Sequence, residues 1–242
     1  DGVLLKPLAK RGIRTLSGID PATNVVSQID DPNIHIYNTF FTETVAKTVR
    51  CEHGGADLIL ANNVFAHIPD IQSAIRGIAA LLASDGMFVF EVHDFEKIVH
   101  KRQYDMIYHE HMYYYSVAAA DKAFNRHGLR VVDVEKIATH GGSLRLYVAH
   151  ETSTKRTRKP IVDEMIARDR ARGLTSIDAL RRYGQDVEQT KIQLIEYINE
   201  IDRSGAVIDG YGASGRANTI LQYCDLSSNR IRRIYDDAAA KW

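Results

Sequence analysis

Cysteine is nearly absent from this chain. Cys51 and Cys224 are the two among 242 residues, far apart and without the paired spacing of a zinc knuckle. A disulfide framework is thereby excluded, and a reducing, cytoplasmic setting is expected. Charge of one sign is not in excess either. The 31 Lys and Arg cancel the 31 Asp and Glu, so nothing electrostatic favours nucleic acid or an anionic membrane as partner. Long hydrophobic runs are missing too. Stretches such as Ile75 to Leu82 fall far short of the ~20 residues that span a bilayer. No secretory signal pattern, internal repeat or low-complexity tract is found.

What is present is an ordinary globular composition, 45% apolar and 26% charged, enough for one large or two small domains. The first 150 residues alternate strand and helix signals. A helix is predicted over Leu4 to Arg11, strands over Arg14 to Asp20 and Ile34 to Asn38, and a helix capped by Thr42 through Arg50. Asp57 to Ala61 is a short apolar run of the kind expected in a buried parallel strand. Ile71, Ala74, Ile75, Ile78, Leu81 and Leu82 share one helical face. Met87 to Phe90, Leu129 to Val134 and Leu144 to Val148 are the later strands, with a helix over Val117 to His127 between them. Such alternation implies an α/β fold, a parallel sheet with helices on both faces.

Residues 151–159, basic and without apolar periodicity, separate this first domain from the rest, and Pro160 suits the start of a helix. A linker with amphipathic helices is expected over 151–205. Its main element is a long helix from Ser176 to Asp202, with Thr175 and Asp178 as a capping box. Over 206–242 a smaller α/β domain begins: strand Ala206 to Asp209, glycine loop, helix Asn218 to Tyr223, strand Ile231 to Tyr235. The chain starts at Asp-Gly and stops at Lys241-Trp242, which reads as a fragment of something longer.

Chemistry concentrates in Tyr104-Asp-Met-Ile-Tyr-His-Glu-His-Met-Tyr-Tyr-Tyr-Ser116, where five tyrosines surround His109, Glu110 and His111. Phenols and imidazoles are costly to bury without partners. The run therefore reads as the lining of a pocket that exchanges protons with a ligand, or else as a half-exposed loop covering a core edge. His109 and His111 have the i, i+2 spacing of a shared strand face, but a metal needs a third ligand and none is indicated. Asp20 ends a strand, where a carboxylate can hold ribose hydroxyls or simply open an Asp-Pro turn. Asn62, Asn63 and His67 follow another strand end. Gly210-Tyr-Gly-Ala-Ser-Gly215 is a literal G-x-G-x-x-G, and Asp236 ends the next strand. The loop can cradle a diphosphate at a helix N-terminus or be a structural turn.

Together the motifs resemble the S-adenosylmethionine-dependent sugar C-methyltransferases, which act on nucleotide-linked deoxysugars. The resemblance runs through Asp1-Gly2-x-Leu-Leu, Gly18-Ile-Asp-Pro-Ala22, Asn62-Asn-Val-x-Ala-His67, Tyr104-Asp-x-Ile-Tyr-His-Glu-His111, His140-Gly-Gly-Ser-Leu-Arg145 and Gly210-Tyr-Gly-Ala-Ser-Gly-Arg-Ala-Asn-Thr219. It implies a Rossmann-like methyl-donor domain over 1–150 lacking its first strand. A truncated nucleotide-sugar domain follows at 206–242, and zinc belongs only to an N-terminal domain outside this chain. It further implies that His111 is the base that removes a carbon-bound proton beside a ketone, with Tyr108, Glu110 and His67 in the same pocket. Glu110 would orient the histidine or the sugar. Gly2, Asp20, Asn62 and Asn63 would hold the methyl donor. Tyr104, His140, Arg145, Tyr211, Ser214, Arg216 and Asn218 would hold the nucleotide sugar. Two other readings stand beside it: an NAD(P)-dependent oxidoreductase using the Gly210 to Gly215 loop, and a non-catalytic nucleotide-sugar-binding protein.

Overall fold

A computed structural model describes residues 2–239, so Asp1, Ala240, Lys241 and Trp242 lie outside the described residues. In chain order it comprises α1 (Leu5–Lys10), β1 (Leu16–Ile19), α2 (Thr23–Val26), β2 (Ile34–Tyr37), α3 (Glu43–His53) and β3 (Ala56–Asn62). Then come α4 (Ile71–Leu81), β4 (Leu82–His93), α5 (Phe95–His100), α6 (Val117–Asn125), β5 (Leu129–Ile137) and β6 (Ser143–His150). The second part holds α7 (Pro160–Ala171), α8 (Ile177–Arg203), β7 (Gly210–Tyr211), α9 (Gly215–Tyr223) and β8 (Ile234–Tyr235). The helix starts obey local chemistry. Thr42, Asp70, Asp94, Ser116 and Ser214 each accept a backbone N–H of the first turn.

The main sheet has the order β3-β4-β6-β5. β3 and β4 are parallel, but β6 runs antiparallel to both β4 and β5. This corrects the expectation of a parallel sheet throughout. Five residues, 138–142, join β5 to β6, and a parallel crossover needs about a dozen or more. That turn is built by His140, Gly141 and Gly142, all at positive φ. A Cβ on Gly142 would sit 2.8 Å from Lys97 Cγ, so the second glycine is required by space as well as by backbone.

β1 and β2 pair in parallel as a sheet of their own. Consequently β3 is an edge among the described residues. Its Ile59 and Ala61 pack on the core while Leu58 and Leu60 are 50% and 37% exposed. The expectation that 57–61 is buried on both faces is corrected accordingly. Two further differences concern ends. Thr175 and Asp178 do not form a capping box. Ser176 holds the cap position of α8 without a side-chain bond, and Asp178 pairs with Arg181 instead. The strand expected at 206–209 is displaced to Gly210–Tyr211, although Ile208 still accepts a ladder bond from Arg232 N–H.

One face of the main sheet carries the core: Phe88, Phe90, Val92, Leu144, Leu146 and Val148 meet Ile75 and Ile78 of α4, Phe124 of α6 and Met165 of α7. Glu96 on α5, 3% exposed, receives Lys136 of β5 at 2.6 Å, Arg168 of α7 at 2.8 Å, and Arg172. A buried carboxylate persists only with such compensation. Its effect is to tie α5, and the loop that leaves α5, to β5 and to the second part of the chain.

Candidate active site

The loop after α5 is strapped down at several points. Tyr104–Met106 forms a 3₁₀ turn. Met112 N–H then donates to Ala66 O at 3.0 Å, Tyr113 OH to Pro69 O at 2.9 Å, and Tyr115 OH to Phe65 O at 3.2 Å. Phe95 N–H reaches Tyr115 O at 3.1 Å. These bonds fold the loop back across the carboxyl ends of β3 and β4, and an imidazole cluster results. The His111 ring lies 4.9 Å from that of His67, 5.0 Å from His93 and 4.3 Å from Tyr108; His93 lies 5.7 Å from His140.

His111 is 7% exposed. Its Nδ1 sits 2.8 Å from Met106 O, and since a carbonyl can only accept, Nδ1 carries the proton of the neutral ring. Nε2 is left as a lone pair, 3.2 Å from Tyr108 OH. This tautomer is assigned from its partner. Burial lowers the His111 pKa below its usual value against the opposing bond to Met106, which favours the neutral ring. Burial also raises the pKa values of Tyr108 and Tyr114, keeping both phenols protonated.

Met106 O, and not Glu110, is thus the hydrogen-bond partner of the His111 ring. Glu110 is exposed and 3.9 Å from the exposed His109, which leaves it facing the adjoining cavity. That cavity, about 570 Å³, lies between the loop and α9 and is lined by Tyr108, His109, Glu110, Asn218, Thr219 and Gln222. Its size suits a small-molecule ligand.

Other expected site residues are engaged elsewhere. Arg145 pairs with Glu91 at 2.5 Å across β4 and β6. Tyr104 turns its hydroxyl to Cys224 Sγ at 3.7 Å and sets its ring, tilted, 5.3 Å from that of Tyr223. Arg216 is held by Asp105 at 2.5 Å. These last two contacts dock α9 onto the 104–106 turn. Tyr211 is 76% exposed and bonded to Asp237. In the Gly210 to Gly215 loop, Ala213 N–H donates to Asp236 Oδ2 at 2.7 Å and Ser214 Oγ caps Ala217 N–H at 3.2 Å. One backbone N–H of the loop is thus already bonded to a carboxylate.

At the other strand ends, Asp20 follows β1 and its Oδ1 accepts Ala22 N–H at 2.8 Å, so it does form a turn. No other contact of that carboxylate is found within the described residues. Asn62 ends β3, and Asn63 follows with φ 54°, both exposed. Gly2, at φ 71°, accepts Lys6 N–H at the start of α1.

His93 was missed by the sequence reading, which stopped its strand at Phe90. Apolar Phe88, Phe90 and Val92 alternate with Glu91 and His93 through the true end of β4, and extending that period would have put His93 at a carboxyl end. Burial depresses its pKa to about 4, with His111, His140, Arg216 and His67 pushing the same way. Unfolding returns it to 6.5, so the unfolded chain binds more protons between these values. Stability is predicted to fall as pH drops from 6.5 toward 4. Thermal melts at pH 7 and 5 check this. The loss should be smaller in His93→Gln by ~1 kcal/mol, the ~1.4 kcal/mol per pKa unit being reduced by partial solvent exposure.

Residues 1–134 match the family described as methyltransferase domain, and residues 138–242 match the C-methyltransferase C-terminal domain. The chain is 33% identical over 240 residues to C-methyltransferase NovU of Streptomyces niveus, covering 99% of this chain and 57% of NovU. It thus spans little more than half the length of that curated relative. Among solved structures, a SAM-dependent methyltransferase of Anabaena variabilis is 12% identical with a TM-score of 0.44, covering 60% of this chain and 72% of that one. Magnesium protoporphyrin IX methyltransferase of Synechocystis with bound SAH is 16% identical with a TM-score of 0.41, covering 60% and 67%. At such TM-scores these two likenesses decide nothing further. A match over more than half of its residues shows that the chain belongs to the methyltransferase domain family.

Proposed function

We propose that the protein to which this chain belongs is an S-adenosylmethionine-dependent C-methyltransferase. Its substrate would be a nucleotide-linked deoxysugar, methylated at the ring carbon beside a ketone by way of an enolate. One observation carries the reading. A buried imidazole has Nδ1–H committed to Met106 O and Nε2 turned to Tyr108, beside a cavity of ligand size. A neutral histidine so fixed is a general base. The name of the NovU relative and the motif resemblance support carbon as the methyl acceptor.

The residues at the strand ends fit the donor. Asp20 keeps an oxygen for ribose hydroxyls, and Asn62 and Asn63 offer amides for polar edges. Bound there, S-adenosylmethionine would supply an electrophilic methyl carbon: the enolate C=C pair would form the new C–C bond as the methyl–sulfur pair leaves with S-adenosylhomocysteine. His111 takes the carbon-bound proton on Nε2, and the C–H electron pair becomes the enolate double bond as the C=O pair moves onto oxygen. Tyr108, protonated, stands beside the proton being moved. Asn218, Thr219 and Gln222 of α9 offer donors and acceptors to the nucleotide sugar across the cavity. The oxidoreductase reading finds no support, because Asp236 bonds within the glycine loop it was to serve.

No helix of the described residues is long and apolar enough to cross a membrane. Cys51 and Cys224 are free thiols, which suits a reducing compartment such as the cytoplasm.

The test uses the full-length protein, radiolabelled S-adenosylmethionine and a nucleoside-diphosphate-linked 4-keto-6-deoxyhexose. Label should enter the sugar at carbon; label on oxygen, or tight NADH binding in place of the donor, overturns the reading. Asp20→Ala should weaken donor binding by ~1–3 kcal/mol, as expected for lost bonds to a charged acceptor. Titration calorimetry measures this, and unchanged affinity would remove Asp20 from the donor site.

A further inference from the structure

The reaction set out above gives no task to His93, yet the fold holds that side chain over the site with care. β4 ends there. The next residue, Asp94, donates its N–H to Gly142 O at 3.1 Å, caps α5 and bridges to Tyr115. Glu91, two residues earlier on the same strand face, is immobilised by Arg145. The backbone carrying His93 is thus fixed on both sides, and the strand period directs the ring toward His111 and His140. Within the described residues no donor or acceptor bonds either ring nitrogen. Half-buried and unbonded, it has capacity left for a ligand.

We propose that His93 is the hydrogen-bond donor to the ketone oxygen of the sugar, stabilising the charge that develops there while His111 removes the neighbouring proton. The inference deepens the proposed function and rests on it. The electrons balance simply: the proton goes to Nε2 of His111, the C=O pair goes to oxygen, and His93 shares its N–H proton without giving it up. Distance favours this assignment. The acidic carbon and the ketone oxygen are separated by one C–C and one C=O bond, so a base and a donor each within about 2.6–3.2 Å of their target stand with rings roughly 5 Å apart. The two rings are 5.0 Å apart. Tyr108 is less well placed for this role, since its hydroxyl lies 3.2 Å from the nitrogen that takes the proton.

Charge favours it as well. The groups facing His93 are His67 after β3, His111 of the loop, His140 of the β5–β6 turn and Arg216 of α9. All are neutral or cationic, and the nearby carboxylate of Asp105 is taken by Arg216. Among the described groups that bear on His93, none is an anion. With its pKa held low, His93 stays neutral through the working pH range, so it polarises the ketone by an N–H bond, as neutral histidine does in other enolising enzymes.

The experiment uses the full-length protein with a nucleoside-diphosphate-linked 4-keto-6-deoxyhexose in D2O. Proton exchange beside the ketone is followed by NMR and methyl transfer by label. In His93→Leu both rates should fall about 10²–10³-fold, the usual loss for one oxyanion donor. Donor affinity and melting temperature at pH 7 should hold. His93→Gln, which keeps an N–H, should recover part of the rate. Exchange at the normal rate in His93→Leu overturns the inference, as does an equal loss in Leu and Gln variants, which assigns a packing role. A wild-type protein that neither exchanges nor methylates fails the proposed function itself, and this inference with it. An active wild type with an unimpaired His93→Leu fails this inference alone.

Discussion

Replacing His111 with asparagine in the full-length protein is expected to slow proton exchange beside the sugar ketone, and kcat, by about 10²–10⁴-fold, the span of general-base catalysis. Asparagine can still donate to Met106 O, where Nδ1 now sits at 2.8 Å, so the loop should keep its course. What disappears is the nitrogen lone pair facing Tyr108. Donor affinity should be unchanged, because the residues proposed for the donor, Asp20, Asn62 and Asn63, belong to the ends of β1 and β3. Exchange reports proton removal without methyl transfer and so isolates the step. Normal exchange in this variant would move the base elsewhere in the cluster, to His67 first, whose ring is 4.9 Å away. Tyr108→Phe should be impaired less, since water can replace a hydroxyl at the edge of a 570 Å³ cavity.

The largest stability effect is expected at Phe65, which is 1% exposed. Its ring meets Phe88 at 5.6 Å, Phe90 at 4.9 Å, Tyr115 at 5.9 Å and Phe124 at 5.8 Å, and so joins the segment after β3 to β4, α6 and the end of the 104–116 loop. Phe65→Ala removes a side chain that its packed neighbours cannot replace, at a cost of ~3–5 kcal/mol. For a chain of this size that corresponds to a fall in Tm of roughly 6–20 °C. Scanning calorimetry reads it directly; a fall of less than about 3 °C would mean that the surrounding rings collapse into the space. Activity should drop below the melting range too, because Phe65 O anchors Tyr115 OH and the next residue, Ala66, accepts Met112 N–H. Loosening that junction separates His67 from His111.

Much of this architecture was legible from local pattern. Thr42 does cap α3, Pro160 does open α7, and the apolar face Ile71 to Leu81 does define α4. Each rests on interactions within a few residues, so sequence neighbours carry the signal. The direction of β6 was also within reach, since a five-residue connection cannot cross over, but periodicity alone says nothing of strand direction. The Thr175 and Asp178 capping box failed because Ser176 holds the cap position while Asp178 pairs with Arg181. In the glycine loop Asp236, far along the chain, reaches back to Ala213 N–H, a contact that spacing within the loop does not show.

The residue types of the site, imidazoles and phenols crowded into the 104–116 run, follow from the chain alone. Such a density of titratable aromatics is a local property. Which imidazoles lie side by side, and with which neighbours, was decided only in three dimensions. His67, His93, His111 and His140 come from four segments, brought together because the loop is bonded over the ends of β3 and β4 and because the β5–β6 turn folds back beside them. The tautomer of His111 depends on a single carbonyl at 2.8 Å. Arg145, Tyr104 and Arg216 have partners in Glu91, Cys224 and Asp105 that spacing does not name. Side-chain partners are long-range facts: composition and spacing name the functional groups available, and packing chooses which of them remain open to a ligand.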